Sequence, residues 1–386
     1  MKASRVLIIS ASIGGGHVAA ARALEFSARE ASLDVMHVDL LDYTSAPFRQ
    51  LYKQAYFDLV RTAPEFIEWF AKQLDRSPGE LKSRQQRLRA RLSRLVSIEL
   101  PRMISRYKPD LIVHTHFFSP ELLSTTLAPD LVRLTGRKTP IPQFVVITDF
   151  YAHSLWMQPK IECYFVASDE IAAHLIASGV DSERIVVSGI PIDPRFRQLE
   201  TKVEARKTLG YSLERDLLLF IASGLDAKTL RYLLSELKTL RWPLNVALVC
   251  GRSKDLVSTA ASELDEFDSD YVSVDLVEFT KVMPRYMAAA DLLLGKPGGL
   301  TSSEALAAAL PFAVVQPYPI QEEGNTGYLL EHGAAIRIAP LSTLSYKLRL
   351  FFSSEAKRTA LQEAAKSLAH PHAAETVISH VLDVSF

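Results

Sequence analysis

Short apolar runs alternate along the first half of the chain with longer segments whose apolar positions recur every three or four residues. Val6 to Ser10, Val35 to Leu40, Leu111 to His114, Phe144 to Thr148 and Tyr164 to Ala167 are near-continuous apolar segments, the pattern of parallel strands covered on both faces. Ala19 to Arg29, Ser168 to Ser178 and the long stretch from Phe48 to Arg106 carry the helical period that such covers need. Residues 1–190 therefore read as one doubly wound α/β domain. The pattern breaks at Ser188-Gly189-Ile190-Pro191-Ile192-Asp193-Pro194, where two prolines and a glycine forbid a continuing helix and mark a connector. Leu217 to Ala222, Val246 to Cys250, Tyr271 to Val274, Asp291 to Leu294 and Phe312 to Gln316 then supply a second set of strands, giving a second domain over residues 191–370. Residues 371–386 are expected to form a last helix with room to pack back on the N-terminal domain. Two α/β domains joined by a hinge are expected to face one another across a cleft at the carboxyl ends of their strands, where open sheets of this kind bind ligands.

Composition narrows the function. A chain of 386 residues, 48% hydrophobic and 23% charged, is long enough for two packed cores. Its 44 basic and 44 acidic residues cancel, so no nucleic-acid partner is expected, because wrapping DNA or RNA needs a positive excess. Cys163 and Cys250 lie far apart inside apolar runs. They make neither a disulfide framework nor a Cys-based zinc site, and point to reduced thiols in the cytoplasm. No stretch approaches the ~20 apolar residues of a membrane span. The apolar run Val6 to Ile9 after Lys2 and Arg5 is too short for a signal peptide and leads straight into Gly14-Gly15-Gly16-His17.

Three segments carry candidate chemistry, each just past a strand. In Gly295-Lys296-Pro297-Gly298-Gly299-Leu300-Thr301-Ser302-Ser303-Glu304, glycines admit a ligand to the backbone and a helix is expected to open at the Thr/Ser cluster with free N–H groups, an anion site suited to a nucleoside diphosphate. Glu304 would lie about one turn inside that helix, where it can accept hydrogen bonds from ribose hydroxyls. The same Thr301 to Glu304 spacing also fits a capping box with no ligand at all. The following strand runs into Pro317-Tyr318-Pro319-Ile320-Gln321-Glu322-Glu323-Gly324-Asn325, read as a polar loop whose Gln321, Glu322 and Asn325 can hydrogen-bond sugar hydroxyls, or simply face solvent.

In the first domain, Gly14, Gly15 and Gly16 have no packing use and a high folding entropy cost, and their spacing is not the dinucleotide fingerprint. His17 falls at the start of a helix, a position that favours the neutral imidazole able to act as a base. Thr148-Asp149-Phe150-Tyr151-Ala152-His153-Ser154-Leu155-Trp156 presents an acid, an imidazole and an indole together. Asp149 either orients His17 or replaces it as the base, and His153 and Trp156 belong on the acceptor side or in ordinary packing.

Taken together, Ser10 to His17, Thr148 to Trp156, Lys296 to Leu306 and Pro317 to Leu329 resemble the monogalactosyldiacylglycerol synthase and processive diacylglycerol glucosyltransferase family, and more distantly the lipid-linked N-acetylglucosaminyltransferases of peptidoglycan synthesis. The resemblance implies a GT-B fold, two Rossmann-like domains, and inverting transfer of a hexose from a UDP-sugar to a lipid hydroxyl without a bound metal or other cofactor. Carried onto this chain it implies Glu304 at the ribose and Gly298, Gly299, Leu300 and Thr301 at the diphosphate. It further implies Ser223 and Gly224 facing that diphosphate, Gln321 and Glu322 at the hexose, backbone near Phe279 at the uracil, and His17 and Asp149 at the reacting centre. The chain departs from the family pattern at Ile320 and at Ala309, where glycines are usual. A UDP-sugar epimerase, a non-lipid acceptor and a non-catalytic sugar-nucleotide sensor stay open as alternatives.

A lipid acceptor would leave its mark on residues 47–106. Phe48, Leu51, Tyr52, Tyr56, Leu59 and Val60 recur at helical steps, and Phe66, Ile67, Trp69 and Phe70 follow Pro64. Lys82, Arg84, Arg87, Arg89, Arg91 and Arg94 then flank a stripe of Leu88, Leu92 and Leu95 with no acid among them. Basic flanks around an apolar stripe suit an anionic membrane surface, so the chain is expected to attach peripherally to the cytoplasmic face of the cell membrane.

Overall fold

The structure, a computed structural model, describes residues 4–46, 49, 99–137, 139–318 and 320–385. Phe48, Tyr52, Arg84, Arg87 and Arg91, and with them the aromatic and basic segments expected to meet lipid, lie outside the described residues. The chain forms two units, one of Met1–Pro194, Pro319–Gln321 and Pro371–Phe386, the other of Arg195–Tyr318 and Glu322–His370.

In the first unit, β1 (Arg5–Ser10), β2 (Asp34–Asp39), β3 (Leu111–His114), β4 (Gln143–Val146), β5 (Cys163–Val166) and β6 (Ile185–Val187) form one sheet in the order β2-β1-β3-β4-β5-β6. Every pairing is parallel, and Ile8 of β1 stands between His37 and Val113. Because strand side chains alternate, Val6 and Ile8 of β1 reach one core while Leu7 and Ile9 reach another. Ala21, Leu24 and Ala28 of helix Gly16–Glu30 cover the first face, together with Val377, Ile378 and Val381 of helix Ala373–Ser385. Leu100 and Ile104 of helix Glu99–Tyr107 cover the second.

In the second unit, β7 (Asp216–Ile221), β8 (Leu244–Val249), β9 (Val272–Val277), β10 (Leu292–Gly295), β11 (Phe312–Val315) and β12 (Ala335–Ile338) run in the order β12-β11-β10-β7-β8-β9, again all parallel. Its core joins Leu218 and Phe220 of β7 to Leu230, Leu233, Leu234 and Leu237 of helix Ala227–Lys238, an i, i+3, i+4, i+7 stripe. In both sheets the strand order reverses beside the first strand, between β1 and β3 and between β7 and β10. Ligands of doubly wound folds bind outside the carboxyl ends of strands at such a switch point.

Two expectations fail for local reasons. Residues 320–331 are a helix, Ile320–Glu331, rather than a polar loop. Its mixed polar sequence hides the helical period, while Glu322 and Glu323 in its first turn suit a helix amino end. Helix Gly299–Ala307 opens two residues before the Thr/Ser cluster, with Gly298 at its N-cap and no side-chain cap bond, so the Thr301–Glu304 capping box is not formed. The half-buried edge strands are harder to read, β6 because it is only three residues long and β12 because Arg337 interrupts it. Among the described residues no helix is long and apolar enough to cross a membrane.

Candidate active site

In the first unit the chain leaves β1 through Gly14, whose φ of +74° only glycine adopts without strain. Gly15 is the N-cap of helix Gly16–Glu30 and offers no side chain to its amides. A Cβ at Gly14 or Gly15 would meet nothing within 4 Å, so their bareness serves no internal packing. His17 follows in the first turn and is held by the neighbouring exit loops of β3 and β4. Its Nδ1 lies 2.9 Å from the Thr115 carbonyl and 2.8 Å from Thr148 Oγ1, while Thr115 Oγ1 donates to the His17 carbonyl at 2.9 Å. A carbonyl only accepts, so Nδ1 carries the proton and the lone pair of the neutral ring sits on Nε2.

Other rings crowd His17. His116 meets it edge-on at 4.7 Å between centroids, and Trp156 lies at 6.4 Å. Phe117 stacks on His116 at 4.3 Å and meets His153 edge-on at 4.8 Å. Burial pushes His17 and His153 down to about 4, His17 against a smaller opposing effect of the Thr115 hydrogen bond. Burial also lowers His116 well below the ordinary imidazole value, with the nearby His17 and His153 adding to the effect. The cause is thus desolvation more than the helix end. His153 Nδ1 is buried with no hydrogen-bond partner among the described residues. Asp149, beside Thr148, is partly exposed. Trp156 is 1% exposed and belongs to the core of this unit, so it has no surface to offer a membrane.

The second unit gathers its candidates at the adjoining ends of β7, β10 and β11. Ser223 and Gly224 form an exposed turn after β7, Gly224 at φ +88°. After β10, Gly298 leaves the first amides of helix Gly299–Ala307 without a side-chain acceptor, and such amides have no partner inside the helix itself. Ser302 Oγ and Ser303 Oγ are buried beneath them without partners among the described residues. Thr301 and Glu304 are partly exposed on the same helix. Phe279 is 48% exposed, with the Arg252 guanidinium 4.4 Å above its ring.

On helix Ile320–Glu331 the candidates are more deeply engaged than a solvated loop allows. Asn325 is fully buried and its amide donates to the Pro297 carbonyl at 2.9 Å, so it shapes the Pro297-Gly298 turn and presents nothing at the surface. Glu322 Oε2 accepts the Tyr318 N–H at 2.8 Å and pairs with Lys296 at 3.0 Å. Gln321 Oε1 is buried without a partner among the described residues. Among the described residues no group of three or more His, Cys, Asp or Glu side chains is placed to hold a metal ion.

Thr115, His116 and Lys296 join these candidates from the structure and not from the sequence pattern. The first two directly follow the strand Leu111 to His114, and their place at a strand end was signal enough to single them out.

Comparison with known proteins fits this arrangement. The monogalactosyldiacylglycerol (MGDG) synthase model matches residues 17–192 and the glycosyltransferase family 28 C-terminal domain matches residues 218–377. The chain is similar to MGDG synthases and diacylglycerol glucosyltransferases along nearly its whole length. It is 26% identical to the processive diacylglycerol beta-glucosyltransferase of Bacillus cytotoxicus, over 99% of this chain and 94% of that protein. To the enzyme of the same name from Bacillus cereus it is 28% identical with the same coverage. Among solved structures, MurG of Acinetobacter baumannii superposes with a TM-score of 0.64 at 18% identity, covering 98% of this chain and 99% of that one. Anabaena HepE in complex with UDP-glucose gives 0.57 at 14% identity, covering 98% and 99%. The fold is GT-B, and the protein is a glycosyltransferase.

Proposed function

We propose that the protein transfers a hexose from a UDP-sugar to the hydroxyl of diacylglycerol or a glycolipid, working peripherally on the cytoplasmic face of the membrane. The observation that carries the donor half is the uncapped amino end of helix Gly299–Ala307 at the switch point of the second sheet, a place built for the anionic diphosphate. Glu304 on that helix takes the ribose, Ser223 and Gly224 line the diphosphate, Glu322 and Gln321 meet the hexose, and backbone near Phe279 holds the uracil. Names of the relatives, each a diacylglycerol glucosyltransferase, support the acceptor, and UDP-glucose in HepE supports the donor class. Cys163 and Cys250, free and buried, suit the cytoplasm.

In the proposed reaction the acceptor oxygen attacks the anomeric carbon from the face opposite UDP. The new carbon–oxygen bond forms as the bond to the diphosphate breaks and its electron pair leaves with UDP. His17 Nε2, whose lone pair is fixed by the Nδ1–H bond to Thr115, accepts the acceptor's proton. Asp149 flanks this base through its neighbour Thr148. Helix amides take up the charge developing on the leaving group. The one Asp-x-Asp spacing, Asp268-Ser269-Asp270, precedes β9 and so stands at the amino end of its strand, away from the carboxyl ends where such sheets bind ligands. The transfer is therefore assigned to the helix dipoles and not to a divalent ion. UDP-sugar epimerases share the architecture, but an epimerase converts donor without acceptor.

The test is UDP release in the presence of vesicles with and without diacylglycerol, with mass analysis of the lipid. Acceptor-dependent release should fall at least a hundredfold in His17→Ala, in line with the usual worth of a general base, and should fall in Glu304→Ala through weaker donor binding. Activity surviving both changes refutes the site, and sugar conversion without lipid product favours the epimerase.

A further inference from the structure

One side chain ties together three parts of the proposed donor site. Lys296 follows β10 directly, and its stem runs past Gly224, where an added Cβ would stand 3.4 Å from Lys296 Cδ. Its ammonium donates to the Tyr318 carbonyl at 2.7 Å and pairs with Glu322 Oε2 at 3.0 Å. That same oxygen accepts the Tyr318 N–H, closing a ring of contacts from the β10 exit to the first turn of helix Ile320–Glu331. The side chains of Lys296 and Glu322 are 15% and 18% exposed, so water screens the pair little.

We propose that Lys296 is a positioning residue for donor-sugar recognition, fixing the Glu322 carboxylate that meets the hexose and leaving the nucleotide to other groups. The proposal rests on the donor reading given above. Glu322 needs such a partner. Burial pushes its carboxyl up, and Lys296 is the foremost influence opposing that shift. Without the ammonium the carboxyl protonates more readily, loses its charge-assisted acceptor strength and is freed from its place. The glycine at 224 belongs to the same device, since a side chain there would press on the lysine stem.

The experiment compares wild type, Lys296→Met, Lys296→Arg and Glu322→Gln by calorimetric titration with UDP, UDP-glucose and UDP-galactose from pH 6 to pH 9. In Lys296→Met, UDP affinity should stay within about twofold of wild type while the favoured UDP-sugar loses at least tenfold. That deficit should shrink as the pH rises and Glu322 ionises again. Lys296→Arg should keep most of the sugar affinity, and Glu322→Gln should show the sugar deficit without its pH dependence. Equal losses for UDP and UDP-sugar, or a deficit in Lys296→Met that is the same at every pH, overturn the role of Lys296. If Lys296→Met does not fold, a sugar deficit in Lys296→Arg as large as that of Glu322→Gln does the same. Wild-type protein that binds no UDP overturns the donor reading itself. Wild-type protein that binds UDP and both UDP-sugars equally overturns hexose contact by Glu322, and this proposal with it.

Discussion

The chemistry of the first unit comes down to which nitrogen of His17 is bare. Thr115 answers through its carbonyl, which has no proton to give, and Thr148 Oγ1 at 2.8 Å shares the Nδ1 proton. Thr148 is 4% exposed, so water does not replace it when the hydroxyl is removed. Thr148→Val should therefore loosen the ring without emptying the site. Losing one hydrogen bond of about 1 kcal/mol predicts a five- to tenfold fall in kcat with the donor KM unchanged, and Thr148→Ser should restore most of it. Nitrogen NMR of His17 would report the tautomer directly, and a Thr148→Val ring that still holds Nδ1–H with unchanged kcat would count against this role. The pH dependence has a definite sign as well. Burial holds His17 near 4, so the acid limb of kcat should fall as pH drops through about 4, well below the ordinary imidazole value near 6.5.

At the scale of elements, helix Gly299–Ala307 shows how the ends of one helix serve different purposes. Its amino end is left open. Its carboxyl end closes in a Schellman pattern, with Ala309 N–H bonded to the Leu306 carbonyl and Leu310 N–H to the Ala305 carbonyl. That closure puts Ala309 at φ +49°, a left-handed conformation that favours glycine, so an alanine there carries strain. Ala309→Gly should stabilise the second unit by about 0.5–1 kcal/mol, the strain relieved less the added freedom of glycine in the unfolded chain. Thermal unfolding should show a rise of roughly 1–4 °C in that unit's transition, and a fall would mean that the Ala309 methyl is engaged in packing. The same scale explains what the sequence disclosed. Strands such as β1, β3 and β10 were legible because helices on both faces demand unbroken apolar runs. Helix Ile320–Glu331 was not, because Glu322 and Asn325 are polar residues turned to internal bonds, which a pattern of polar and apolar letters reads as solvent. The strand-end place of His116 marks it in the sequence, but its contact with His17 does not show there, because only the order β1-β3-β4 brings the exit loops together.

For the whole molecule, the uneven placement of buried histidines makes the two units respond differently to acid. His17, His37, His114, His116 and His153 all belong to the first unit, and burial lowers every one of them from the ordinary value, His114 to about 3 and His17 and His153 to about 4. The folded rings refuse protons that the unfolded chain accepts below about pH 6.5. Stability from this source is complete above pH 6.5 and is lost as pH falls from there toward the folded values. In the second unit the perturbed carboxyls pull in opposite directions: burial raises Asp216 and Glu322, whose protonation favours folding in acid, while hydrogen bonds lower Glu200, Glu204 and Asp226, whose protonation opposes it. Between pH 7 and pH 4.5 the first unit should therefore lose more stability than the second. Hydrogen exchange read by mass spectrometry should show peptides from β1, β3 and β4 losing protection at a higher pH than those from β7, β8 and β10. His153→Phe keeps an aromatic ring against Phe117 and Trp156 but removes one titrating group, so it should move the first unit's transition to lower pH. Parallel loss of protection in both units, or a first-unit transition that His153→Phe leaves in place, would show that the histidine cluster does not govern the response to acid.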